Sequence, residues 1–183
     1  PGPRPRRLWP PPAAAACVFC RGTRAAYAAG MLATAFTALA GIEAPVVQAP
    51  IATSPALAAA VSEAGALGQL SCSYAPPAEV AAFVADALAR TARPVACNFV
   101  LEWDQAARLD AALGSGARIV TTFWGDPAPL VPALRAAGAL WIHAAGSLEE
   151  AARGLELGCD ALVAQGWEAG GHVRSEVATM ALV

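Results

Sequence analysis

The chain has 183 residues, 57% of them hydrophobic, and a net charge of -2. Its length suits one domain with a sizeable core. With 12 basic residues against 14 acidic ones, it lacks the electrostatic footprint of a nucleic-acid binder or of a protein drawn to anionic membranes.

Every basic residue is Arg and none is Lys, and Ala, Gly and Pro abound. This bias reads as a GC-rich coding sequence. The hydrophobic content is largely Ala, which signals packed helices more than membrane spans. Five scattered cysteines, an odd number, do not read as a disulfide framework. Cys17 and Cys20 form a C-x-x-C, but no second pair completes a zinc site, so no metal is expected.

Residues 1–24 are rich in prolines that break regular elements and show no periodicity. The stretch Ala25–Ile42 carries no charge, which allows a signal peptide or a marginal span. Ala, Thr and Gly dominate it, however, and partition poorly into hydrocarbon. Met31 sits just ahead of the first clear strand. The expectation is therefore a disordered or non-native extension over residues 1–30, a domain over 31–183, and a cytoplasmic location. Secretion is the alternative.

From Ala44 onward short apolar runs alternate with helical patterns. The runs are Pro45–Ala49, Leu67–Ser71, Pro94–Phe99, Arg118–Phe123, Ala139–Ala144 and Ala161–Ala164. They are near-continuously apolar, as parallel strands covered on both faces should be. Between Pro77 and Arg90, residues Val80, Phe83, Val84, Ala87 and Leu88 form one helical stripe. Asp126-Pro127 predicts a helix start, and Ser147-x-x-Glu150 a capping box with Gly158 after the helix that it opens. Leu109 with Leu113, and Leu130 with Leu134, predict two further helices. Six βα units in series suit either an open doubly wound sheet or most of a (β/α)8 barrel.

The motifs separate these folds. Directly after the sixth run stands Ala164-Gln-Gly-Trp-Glu-Ala-Gly-Gly-His172. It resembles the A-Q-G-x-E-A-G-G-H signature of the nitronate monooxygenase family, formerly the 2-nitropropane dioxygenases. Three collinear segments agree: Val46-Val-Gln-Ala-Pro-Ile51 with the family's first strand, Ala58 to Gly68 with its first helix and turn, and Pro94-Val-Ala-Cys-Asn98-Phe with its third strand. The resemblance covers residues 31–183 and implies a TIM (β/α)8-type barrel, here cut after about six βα units.

The resemblance also implies FMN as cofactor. Its contacts carry over to Ile51 and Ala52 by backbone, to Asn98 and Gln165 by side chain, and to Gly170 by its amide, with Gly171 beside it. His172 matches the active-site histidine. The reaction implied is oxidation of alkyl nitronates with dioxygen, on a small-molecule substrate, with homo-oligomerisation left open. The family's phosphate loops follow strands seven and eight of such barrels, past Val183, so FMN binding by this stretch alone is not expected. The same resemblance admits an FMN-dependent NAD(P)H reductase acting on enoyl thioesters or quinones. A truncated, non-enzymatic remnant is the third reading.

The residues support this placement. Chemistry in such barrels sits at the C-terminal ends of strands, where Gln48–Ile51, Asn98 and Gln165–His172 all fall. Gly170 and Gly171 permit close backbone approach to a ligand. Asn98, the only asparagine, is costly at the end of an apolar strand unless a polar group satisfies it, as a flavin would. Imidazole suits proton removal from a weak carbon acid near neutral pH. His143 reads as a core or pocket-lining histidine. Trp124 and Trp167 wall an apolar pocket or simply pack, and Glu168 either orients His172 or is a solvated loop carboxylate.

Overall fold

Each apolar run after the first becomes a strand, and each intervening amphipathic segment a helix. The computed structural model describes residues 33–183. In chain order its elements are α1 (Ala35–Ala40), α2 (Pro55–Glu63), β1 (Gly68–Ser71), α3 (Pro77–Arg90), β2 (Val95–Val100), α4 (Ala106–Gly114) and β3 (Ile119–Phe123). There follow α5 (Val131–Ala137), β4 (Leu140–Ala145), α6 (Leu148–Glu156), β5 (Ala161–Ala164) and α7 (Thr179–Leu182). The extension over residues 1–30, the Cys17–Cys20 pair and Met31 lie outside the described residues. No helix among the described residues is long and apolar enough to cross a membrane.

All strand pairs are parallel, and the sheet order is β1-β2-β3-β4-β5. A doubly wound sheet reverses its order at a switch point. This sheet never reverses, and a helix follows each strand, which is the winding of a (β/α)8-type barrel.

The segment expected to be the first strand is reduced to a single parallel bridge, Val47 to Leu67. Its backbone turns locally on both sides: Val46 N–H donates to Ala44 at 2.8 Å, and Ile51 N–H to Ala49 at 2.9 Å. Those donors are lost to a ladder, and Pro45 and Pro50 have none to offer.

The inner and outer faces of the sheet differ in chemistry. The outer face packs Leu70, Cys97, Phe99, Val120 and Trp141 against the helices, including the α3 stripe Val80, Val84 and Ala87. Leu88, expected in that stripe, is partly exposed. The inner face forms a smaller cluster of Leu67, Ala96, Ile119 and Ile142. Helix α1 contributes Phe36 and Ala40 to it, and Ile42 follows, so the N-terminal end of the inner face is sealed with apolar side chains. Gly68 is required where β1 meets α2: a Cβ there would lie 1.9 Å from the carbonyl oxygen of Ala58.

Two predicted helix starts are modified. Asp126 Oδ1 accepts the Ala128 N–H at 3.2 Å, but the turn that follows, Ala128–Leu130, is 3₁₀ before α5 begins. At α6, Ser147 caps the Glu150 N–H, while the Glu150 carboxylate passes over the Ser147 N–H and accepts from Gly146 at 2.8 Å. Half of the expected capping box is thus diverted.

Candidate active site

Above the apolar floor, the inner face carries a chain of polar side chains. Asn98 Nδ2 donates to Thr121 Oγ1 at 2.8 Å, and Thr121 Oγ1 donates to Gln69 Oε1 at 2.6 Å. Gln69 and Gln48 then exchange side-chain-to-backbone bonds: Gln69 Nε2 to the Gln48 carbonyl at 3.0 Å, and Gln48 Nε2 to the Gln69 carbonyl at 3.1 Å. Asn98, Thr121 and Gln69 are all buried. Asn98 thus finds a polar partner within the protein. Thr121 and Gln69 were missed in the sequence because single polar residues inside apolar runs look like tolerated exceptions.

The backbone sites lie nearby. The Ala52 carbonyl accepts the N–H of Ser71, whose register partner is Asn98. Ile51, next to it, is 83% exposed. Ala52 is thus tied to Ser71 at the end of β1, one strand away from Asn98 within β2.

On the opposite side, β5 runs into the loop carrying Gln165, Gly170, Gly171 and His172. The Gln165 side chain ties that loop: Nε2 donates to the His172 carbonyl at 3.2 Å, and Oε1 accepts the Arg174 N–H at 3.3 Å. His172 is exposed, and its ring centroid stands 5.9 Å from that of Trp124 at the end of β3. Trp124 has φ 62°, the sole positive φ at a non-glycine among the described residues. Left-handed backbone at a bulky residue is strained. The Arg174 guanidinium lies 5.9 Å over the same indole and pairs with Glu150. One helical turn along α6, Arg153 pairs with Asp126 at 3.2 Å, on the loop that follows Trp124. The Arg153 guanidinium holds the Asp126 carboxyl below its ordinary range.

Glu168 does not orient His172. Its carboxylate accepts the Thr179 N–H at 2.9 Å, at the start of α7, and backbone hydrogen bonds, including this one, lower its pKa. Trp167 is 61% exposed, whereas the Trp124 ring meets those of Phe123 and His172. His143 lies on the outer face, buried beneath α6, with Nδ1 2.9 Å from Thr122 Oγ1. Burial pushes its pKa down, against the nearby charges of Glu150 and Asp126. No group of side chains among the described residues could hold a metal ion.

The residues fit a flavin. The Gln48 and Gln69 amides are engaged with each other's backbone and with Thr121, which leaves Asn98, bonded to Thr121 through Nδ2 alone, the amide whose oxygen could meet a ring edge. At Gly170 and Gly171 no atom lies within 4 Å of where a Cβ would stand, so a planar ring can approach the backbone directly.

The family described as nitronate monooxygenase matches residues 33–113 and 103–183. The chain is 32% identical over 178 residues to a nitronate monooxygenase of Paraburkholderia phytofirmans, covering 73% of this chain and 48% of that protein. It is 31% identical over 154 residues to the (3aS,4S,5R,7aS)-5-hydroxy-7a-methyl-1-oxo-octahydro-1H-indene-4-carboxyl-CoA dehydrogenase of Mycobacterium tuberculosis, covering 82% and 43%. Among solved structures, FabK from Thermotoga maritima superposes with a TM-score of 0.78 at 30% identity, covering 83% of this chain and 50% of that one. The chain spans about half the length of the relatives it matches. The matched family model spans most of the chain, the parallel strand order suits its barrel, and the chain belongs to the nitronate monooxygenase family.

Proposed function

We propose that this chain carries the flavin-facing and base-bearing part of an FMN-dependent nitronate monooxygenase. The observation that supports it most is the imidazole of His172, exposed on the loop after β5 with its ring 5.9 Å from that of Trp124. In this reading His172 takes the proton from the carbon that bears the nitro group. Trp124 forms an apolar wall against the substrate's alkyl part, and Asn98 with the backbone of Ile51, Ala52, Gly170 and Gly171 holds the ring system. FMN, when bound, would supply the electron acceptor for this oxidation, with dioxygen as the final oxidant.

The test is aerobic turnover of an alkyl nitronate, without NAD(P)H, by FMN-loaded protein whose barrel is completed through strands seven and eight, followed by oxygen uptake. A second reading draws on the relatives named as a CoA dehydrogenase and as FabK: a reductase or dehydrogenase acting on a thioester. Oxygen uptake that needs no nicotinamide supports the first reading. Turnover that requires NAD(P)H and an enoyl thioester or quinone replaces it with the second.

A further inference from the structure

Three local irregularities converge on the loop that carries His172. Trp124 holds a strained left-handed backbone. Glu150 abandons its reciprocal cap on Ser147. Gly146 admits the loop so closely that a Cβ there would lie 3.1 Å from the Ser175 nitrogen. Local rules are broken where function compensates for the cost.

The Glu150 carboxylate explains why they coincide. One oxygen accepts the Gly146 N–H at 2.8 Å, and the other accepts Arg174 Nε. The Glu150 side chain is only 21% exposed, which strengthens the pair relative to a free surface bridge. Fixed at Nε, the Arg174 guanidinium lies 5.9 Å from the Trp124 ring centroid, and the His172 ring stands 5.9 Å from the same indole. The Arg174 N–H is also held by Gln165. The loop from His172 to Ser175 is thereby joined to α6 and to the end of β3 by one carboxylate.

We infer that Glu150, acting through Arg174 and Trp124, is a positioning residue that sets the orientation of the His172 imidazole. The inference rests on the reading of His172 as the base. It assigns Glu150 no contact with substrate or flavin. A carboxylate is needed because it must satisfy a backbone amide and a guanidinium at once. Glutamine, with one carbonyl oxygen and an NH2 that only donates, keeps at most one of the two bonds, and alanine neither.

The test combines hydrogen exchange with kinetics on the FMN-loaded protein. In Glu150→Ala, amides 170–176 should exchange at least about tenfold faster, whereas those of β2 and β3 stay unchanged. With nitroalkane, kcat should fall by up to about 100-fold with little change in KM, and Glu150→Gln should restore part of the loss. In a His172→Asn background, Glu150→Ala should cost nothing further. Unchanged exchange, or an equal kcat loss in both backgrounds, would overturn the clamp. Full kcat in His172→Asn alone would overturn the base assignment instead, and the exchange data would still decide whether Glu150 holds the loop.

Discussion

Asn98 Nδ2 donates to Thr121 Oγ1 across β2 and β3 at 2.8 Å, inside the barrel wall. The same hydroxyl donates to Gln69 Oε1, so one oxygen serves two buried amides. Thr121→Val keeps the shape and removes both bonds. Each orphaned buried group costs about 1–3 kcal/mol, so with two of them the variant should lose about 2–6 kcal/mol. In urea unfolding the midpoint should fall with the slope unchanged. An unshifted midpoint would mean that water or a rotamer change replaces Thr121.

The strands were legible because parallel strands covered on both sides are buried throughout and mostly apolar, as Val95–Val100 and Ile119–Phe123 are apart from Asn98, Thr121 and Thr122. The candidate site was read from the stretch Ala164 to His172 together with the collinear segments that carry Ile51, Ala52 and Asn98. Glu150 and Arg174 were not, because both sit in patterns with ordinary explanations: a capping box and a loop arginine. Their partnership spans 24 residues and depends on how the β5 loop folds back over Gly146. The segment Pro45–Ala49 misled in the opposite sense, since an apolar run says nothing about whether its amides stay free for pairing.

His143 makes stability depend on pH. Trp141 Nε1 can only donate, and it donates to Thr122 Oγ1 at 2.7 Å. The Thr122 hydroxyl proton is then free to donate to His143 Nδ1, leaving the neutral imidazole protonated at Nε2. Burial holds the native pKa below the ordinary value. The unfolded chain therefore binds the proton first as pH falls through about 6.5, and native stability declines from there down to the native pKa. Urea midpoints should fall between pH 7.5 and 5.5, and His143→Gln should flatten that slope. The carboxylates of Asp126 and Glu168, held below their ordinary range, act only at more acid pH. A slope unaffected by the substitution would assign the dependence elsewhere.

Trp124 offers a test of stored backbone strain. At φ 62° a residue with a Cβ is disfavoured by about 1–2 kcal/mol, and glycine is not. Replacing the indole removes its contacts to Phe123, His172 and Arg174 in either variant. The comparison of Trp124→Gly with Trp124→Ala therefore isolates the backbone. Glycine should be the more stable by about 1 kcal/mol, the reverse of its usual disadvantage. Thermal or urea unfolding of the pair measures this directly. Alanine equal to glycine or better would show that the left-handed geometry relaxes once the ring is gone.

His172→Asn tests the base role itself. His172 is exposed, and its backbone carbonyl rather than its ring is held by Gln165, so the fold should survive with little change in melting temperature. A neutral nitroalkane must lose a proton before oxidation, whereas a preformed nitronate has already lost it. General-base catalysis contributes about 10²–10⁴-fold. The variant should therefore lose about that factor in kcat/KM on the nitroalkane, and less than about tenfold on the nitronate. The difference between the two losses measures proton abstraction separately from binding. Equal losses on both substrates would mean that the imidazole positions the substrate or the ring system, and that another group removes the proton.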